Sequence, residues 1–179
     1  MLHDPDLLDR LDALPKEAFS GQVFRATRQN LNPLASSYSG GRWMRRDGAG
    51  VLYTSLAREG ALAEIAFHWG QLNPRPAKPV MLHTLRVAAQ RTLKLVRADL
   101  ASLGLPPGSY GGVNMPRTQD IGAAVEFLGC DGLIAPCARW ACDNLMLFPD
   151  RMNSEPTLQV VSSDAVDWIQ WATEHGLLA

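Results

Sequence analysis

Apolar residues recur along this chain with two periods, near 3.6 and near 2, which predicts a succession of short helices and strands. Leu7, Leu8, Leu11 and Leu14 fall on one face of a helix over residues 4–14 that Pro15 closes, so residues 1–20 read as a helical leader or flap. A strand at 23–27 and a polar loop at 28–39 run into Gly40-Gly41-Arg42-Trp43. The turn-forming stretch 46–50 introduces a second strand at 51–54. Leu62, Ile65, Ala66 and Trp69 return at helical spacing within 56–69, with Ser55 as the expected N-cap. Residues 81–87 and 92–96 are β-like, 98–103 form a helical turn before Pro106-Pro107-Gly108, and 118–128 carry Ile121, Ala124, Val125 and Leu128 on one stripe. Short strands at 132–134, 145–148 and 158–161 precede a last helix over 164–175. Without regular alternation of strand and helix, the expected fold class is α+β: one domain of mixed sheets with surrounding helices. The stretch 110–118, with Gly111-Gly112, Asn114 and Pro116, reads as the longest mobile loop.

Composition narrows the function classes. The 179 residues are 46% hydrophobic and 20% charged, as in one ordinary globular domain. Seventeen basic residues against 18 acidic ones give a formal charge of -1, so no general attraction to nucleic acid is expected. The apolar stretch 60–67 is broken by Glu64 and is far shorter than the roughly 20 residues of a membrane helix, so no membrane partner is expected. Three cysteines, an odd number, behind a start that reads His3-Asp4-Pro5 point to a reducing, cytoplasmic compartment. Cys137 and Cys142, with His68 or His83, lack the close spacing of a zinc site, so no metal is expected and the thiols read as small buried groups.

The candidate chemistry lies in the first third of the chain. Gly40-Gly41-Arg42-Trp43 sets a planar guanidinium, suited to a phosphate or carboxylate, beside a tight turn. Tyr53 stands 11 residues later on a strand, and Glu64 another 11 later on a helix. Tyr53 alone would pass for a core aromatic. Glu64 would not, because Ala61, Leu62, Ala63, Ile65, Ala66 and Phe67 surround it and an unpaired buried carboxylate is costly. His68, one turn on from Glu64, reads as a rim residue. Trp168 and Trp171 on the last helix suit either core anchors or a protein-binding surface.

The order Gly-Gly-Arg-Trp at 40–43, Val-Leu-Tyr-Thr-Ser at 51–55 and Ala-Leu-Ala-Glu-Ile at 61–65 resembles the RES domain. The likeness takes in Val23-Phe24-Arg25 and extends to Ile134-Ala135-Pro136-Cys137-Ala138 and to 143–149. The resemblance implies a fold related to the ADP-ribosyltransferase toxins, a catalytic domain over 21–179, and the activity of a toxin that degrades NAD within a toxin–antitoxin pair. It also implies NAD as substrate and not as cofactor, with water or inorganic phosphate as acceptor. The implied partner is an Xre-type protein antitoxin, and a homo-oligomer within the complex is compatible with it. Carried over residue by residue, Arg42, Tyr53 and Glu64 match the family's Arg, Tyr and Glu, while the family's Ser falls at Cys137, a departure. On this reading Arg42 grips the pyrophosphate and Tyr53 walls in the nicotinamide. Glu64 stabilises positive charge on the ribose as the bond breaks, and Cys137, Arg25 and Asn144 contact the substrate. Two alternatives remain at this point: a transferase that delivers ADP-ribose to a macromolecule, and a binding module that has lost catalysis with the change to Cys137.

Overall fold

A computed structural model describes residues 3–106, 108–113, 115–152 and 158–178. Of the expected loop at 110–118, Asn114 lies outside the described residues, as does Pro107 of the break before it. The elements run α1 (Pro5–Asp12), β1 (Lys16–Arg28), β2 (Leu52–Ser55), α2 (Arg58–Gly70), β3 (Val80–Lys94), α3 (Arg97–Ser102), α4 (Pro116–Phe127), β4 (Gly132–Pro136), β5 (Asp143–Leu147), β6 (Leu158–Val166) and α5 (Trp168–Glu174). The mixed helix and strand content is that of an α+β domain.

All six strands join one sheet rather than several, in the order β1-β2-β5-β4-β3-β6, and β1 also pairs with β3. The sheet therefore closes on itself. Its long half is β1-β3-β6, in which β3 pairs with β1 along almost its whole length and with β6 over Val80–Val87. Its short half is the antiparallel set β2-β5-β4. The halves meet at Phe24↔Ser55 and along the parallel rungs Thr92↔Gly132 to Lys94↔Ile134. Val23, Leu52, Leu85, Val87, Leu145 and Leu147 fill the space between them, each 0% exposed.

Helices cover both ends of this frame. Leu7 and Leu11 of α1 are buried with Ile121 and Val125 of α4 in one cluster, so α1 is part of the core and not a flap. β1 begins at Lys16, inside what the sequence reads as leader. The β-like stretches at 81–87 and 92–96 are one strand, because the intervening Ala88 and Ala89 find ladder partners in Ser20 and Phe19 of β1. Such pairing outweighs the weak strand preference of alanine. β6 likewise takes residues 164–166 from the expected last helix, which starts only after Asp167 accepts from the N–H groups of Ile169 and Gln170. Ser55 is not the cap of α2, for the N-cap is Ala57 with no side-chain bond. Among the described residues, no helix is long and apolar enough to cross a membrane.

Candidate functional site

One cleft of about 420 Å³ opens between α2, the glycine-rich turn at 40–44 and the residues Gly112, Val113 and Met115, floored by β2 and β5. Three arginines line it, Arg25, Arg42 and Arg139, and Glu64 is the one acid among its described lining residues. The cleft is thus cationic around a single carboxylate. Phe24, Trp43, Tyr53, Phe67 and Trp69 supply aromatic wall, a lining suited to flat, partly anionic ligands.

The turn that carries Arg42 is pinned from several sides. Gly40 adopts φ +83°, a conformation that favours glycine, and the Gly41 N–H donates to the Met44 carbonyl at 2.8 Å. From α4, Gln119 Nε2 donates to the Gly41 carbonyl at 2.9 Å and Asp120 pairs with Arg45 at 2.6 Å. Arg42 then reaches the expected loop: Nη1 donates to the Tyr110 carbonyl at 2.5 Å and Nη2 to the Gly112 carbonyl at 3.1 Å. Part of its donor capacity is spent on holding that segment over the cleft, a role absent from its sequence pattern. Tyr110 itself is buried, its hydroxyl donating to the Pro136 carbonyl and its ring lying 5.0 Å from the Arg42 guanidinium. Burial raises its hydroxyl well above the usual tyrosine range.

Tyr53 lies under the same turn. A Cβ on Gly41 would fall 2.6 Å from the Tyr53 hydroxyl, so only glycine leaves the ring its place. That hydroxyl is buried and has no hydrogen-bond partner among the described residues. Burial pushes it up to about 12, while the amides of Trp43 and Met44 and the charge of Arg42 pull the other way; the amides face it without meeting hydrogen-bond geometry.

Glu64 projects from α2 into the cleft, and two side chains of the β4–β5 hairpin hold one of its oxygens. Oε1 accepts from Asn144 Nδ2 at 3.1 Å and from the Cys137 thiol at 3.2 Å. Asn144 lines the cleft; its Oδ1 is buried without a partner among the described residues. Cys137 does not line it. At 1% exposure it stands behind the carboxylate: where the resemblance implies a substrate contact, the structure places the Cys137 thiol against Glu64. Arg25 does line the cleft, yet its Nη1 is committed to the carbonyls of Pro33 and Ala35, each at 2.9 Å, and burial lowers it to about 10. It braces the loop after β1. His68 is an exposed rim residue, lowered by partial desolvation against the pull of Glu64, with Arg139 and Arg42 lowering it further.

Sequence reasoning missed Arg139 as a cleft residue. Its guanidinium lies 3.3 Å from the centroid of the Phe67 ring, and its buried Nε has no partner among the described residues. No motif marks it, since it sits in the hairpin turn and reaches the cleft only through the β4–β5 pairing. Among the described residues, no group of three or more His, Cys, Asp or Glu side chains is arranged to hold a metal ion.

Comparison with known proteins agrees with this architecture. The chain is similar in fold to one in the crystal structure of the M. tuberculosis MbcT-MbcA toxin-antitoxin complex, with a TM-score of 0.82 over 95% of this chain and 97% of that one. The sequence identity is 20%, so the likeness is one of fold. No curated protein sequence matches the chain. The sequence model of the RES domain matches residues 17–169, a span that contains Arg42, Tyr53, Glu64, Cys137 and Asn144. The chain belongs to the RES domain family.

Proposed function

We propose that this protein is an enzyme that destroys NAD by breaking the bond between nicotinamide and ribose, and that it serves as the toxin of a toxin–antitoxin pair. The observation that carries the reading is Glu64: a carboxylate facing a cationic, aromatic-walled cleft, with one oxygen held by Asn144 and Cys137. As nicotinamide leaves, positive charge builds on the anomeric carbon, and a fixed carboxylate beside that sugar stabilises the transition state more than the ground state. Its fixed position spares the reorganisation that a solvated side chain would need.

Arg42 meets the pyrophosphate through the N–H donors that the carbonyls of Tyr110 and Gly112 leave free, and Arg139 adds a second guanidinium on the same cleft. The aromatic walls take the flat rings of the dinucleotide, with Tyr53 beside the nicotinamide. Cleavage by these groups requires water or inorganic phosphate as acceptor and no bound cofactor.

A transfer of ADP-ribose to a macromolecule fits less well. The position two residues before Glu64, where a transferase commonly presents a Glu or Gln to its acceptor, holds Leu62, which is 1% exposed and packed in the core beneath α2. A small acceptor suits this cleft better. The toxin role, with a protein antitoxin of Xre type that covers the cleft, draws on the family and on the toxin–antitoxin complex that contains the similar fold.

The test is incubation of the purified protein with NAD, with and without phosphate, followed by chromatography. Nicotinamide with ADP-ribose marks hydrolysis, and nicotinamide with a phosphorylated ADP-ribose marks phosphorolysis. Intact NAD after prolonged incubation refutes the proposal. Expression in bacteria should deplete NAD and arrest growth, with rescue by the antitoxin.

A further inference from the structure

Cys137 and Cys142 face each other across the end of the β4–β5 hairpin. The ladder ends where Pro136 pairs with Asp143, and just beyond it the Cys137 N–H donates to the Cys142 carbonyl at 2.8 Å while the Cys142 N–H turns to the Trp140 carbonyl at 2.9 Å. Directly opposed residues of antiparallel segments have Cα atoms about 4.5–5.5 Å apart with side chains on one face. That separation lies within the span a disulfide bridges, about 4.4–6.8 Å. Both side chains point under α2. The Cys137 sulfur contacts Glu64 Oε1 at 3.2 Å, while the Cys142 sulfur lies 3.4 Å from Ser55 Oγ. A Cβ on Gly60 would fall 2.5 Å from the Cys142 sulfur, and Gly60 stands one turn before Glu64. The bare face of α2 at Gly60 is what admits this second thiol.

The two sulfurs differ in reach. Cys137 is 1% exposed, whereas Cys142 is partly exposed on a separate cleft lined by Val96, Arg97, Trp140 and Asp143. A small reagent meets Cys142 without passing through the cleft that holds Glu64.

We propose that Cys137 and Cys142 form a peroxide-sensitive dithiol, a modification site whose closure to a disulfide takes from Glu64 one of its two supports. The effect on activity rests on Glu64 as the catalytic carboxylate; the bridge itself does not. Hydroperoxides are the oxidant. The Cys142 thiolate attacks the peroxide, an S–O bond forms as the O–O bond breaks, and hydroxide or alkoxide leaves, so that sulfur is oxidised to a sulfenic acid and the peroxide reduced. The Cys137 sulfur then attacks the Cys142 sulfur, the S–S bond forms, the S–O bond breaks and water departs. The Cys137 proton passes through Glu64 Oε1 to that leaving hydroxide.

The division of labour agrees with the thiols' surroundings. The neighbouring Cys137 thiol, and then the Ser55 hydroxyl, lower Cys142 below the usual thiol range against the opposing effect of burial. The proximity of Cys142, with burial and the charge of Glu64, raises Cys137 well above the usual thiol range. Cys142, the partly exposed thiol, attacks and Cys137, the buried one, resolves. Cys130, 0% exposed, is the internal control.

The experiment treats the full, reduced chain with hydrogen peroxide, blocks free thiols with N-ethylmaleimide and digests with trypsin, which cuts after Arg139 between the two cysteines. Mass spectrometry should find peptide 118–139 joined to peptide 140–151 through Cys137 and Cys142, with Cys130 alkylated. Nicotinamide release should fall about tenfold or more, the loss expected when a hydrogen bond to a charged group is removed, and dithiothreitol should restore it. Cys142→Ser should keep the turnover of the reduced parent and lose its sensitivity to peroxide. Full alkylation of both thiols after peroxide overturns the site. Equal inactivation of Cys142→Ser overturns its role. A bridge that forms without change in turnover overturns the coupling to Glu64. A bridge in a protein that never releases nicotinamide supports the dithiol site and refutes the function assigned to Glu64.

Discussion

Replacing Asn144 tests the site through a residue that no sequence motif singles out on its own. Asn144 Nδ2 donates to Glu64 Oε1 at 3.1 Å, and among the described residues the one other donor to that oxygen is the thiol of Cys137, a weaker one. Asn144→Ala removes a hydrogen bond to a charged acceptor, worth about 1.5–3 kcal/mol. At about 1.4 kcal/mol per tenfold, kcat/KM for NAD should fall roughly 10- to 150-fold. Stability should change much less, by about 1 kcal/mol or under, because the substitution also removes the buried, unpartnered Oδ1. Asn144→Asp sharpens the test by setting a second carboxyl against Glu64. Two acids at that distance hold one proton between them to higher pH, so the acid limb of the pH–rate profile should move upward. Initial rates of nicotinamide release across about pH 4 to 9 provide both readouts, with thermal melts as control. Parental kcat/KM in the alanine variant together with a parental pH profile in the aspartate variant would refute the placement of Glu64.

Glu64→Gln keeps the shape of the side chain and removes its charge, and should lower nicotinamide release about a thousandfold or more, roughly 4 kcal/mol of barrier, with an unchanged melt; activity near the parent's would move the chemistry elsewhere. Cys137→Ser should retain or raise turnover, since a hydroxyl donates to Glu64 more strongly than a thiol, and a collapse in rate or an ADP-ribosyl adduct on the parent Cys137 would instead establish a covalent role. Gly122→Ala would bring a Cβ within 1.8 Å of the Trp43 carbonyl, so the turn behind Arg42 must shift; a loss of about 1–3 kcal/mol is expected, whereas Gly111→Ala, with nothing within 4 Å, should be neutral in denaturant titration. His83, buried between Thr27 at 2.9 Å and Ser163 at 2.7 Å, is lowered by burial and then by Arg25. With its folded value below the unfolded one of about 6.5, its contribution is complete above that pH and lost as pH falls through the folded value; Tm should drop on acidification, and His83→Gln should flatten that slope.

The sequence by itself determined the elements whose side chains show a plain period: α1, α4, the strand carrying Tyr53 and the helix carrying Glu64. It also marked Arg42, Tyr53 and Glu64 in order, because a glycine-rich turn before an arginine and an acid amid apolar residues are departures from ordinary core patterning that local chemistry exposes. Tertiary structure decided what depends on pairing between distant segments. Ala88 and Ala89 became strand only because β1 lies alongside them, and residues 164–166 because β3 does. The closure of the sheet, through one rung at Phe24↔Ser55 and three between β3 and β4, is invisible to a periodicity that sees one segment at a time. The same closure brings the hairpin ends under α2, and so makes Cys137 a support of Glu64 and not a cleft residue, turns Arg25 into a brace, and delivers Arg139 to the cleft. A residue type states what a side chain can do; only the packing of elements far apart in sequence determines which partner receives it.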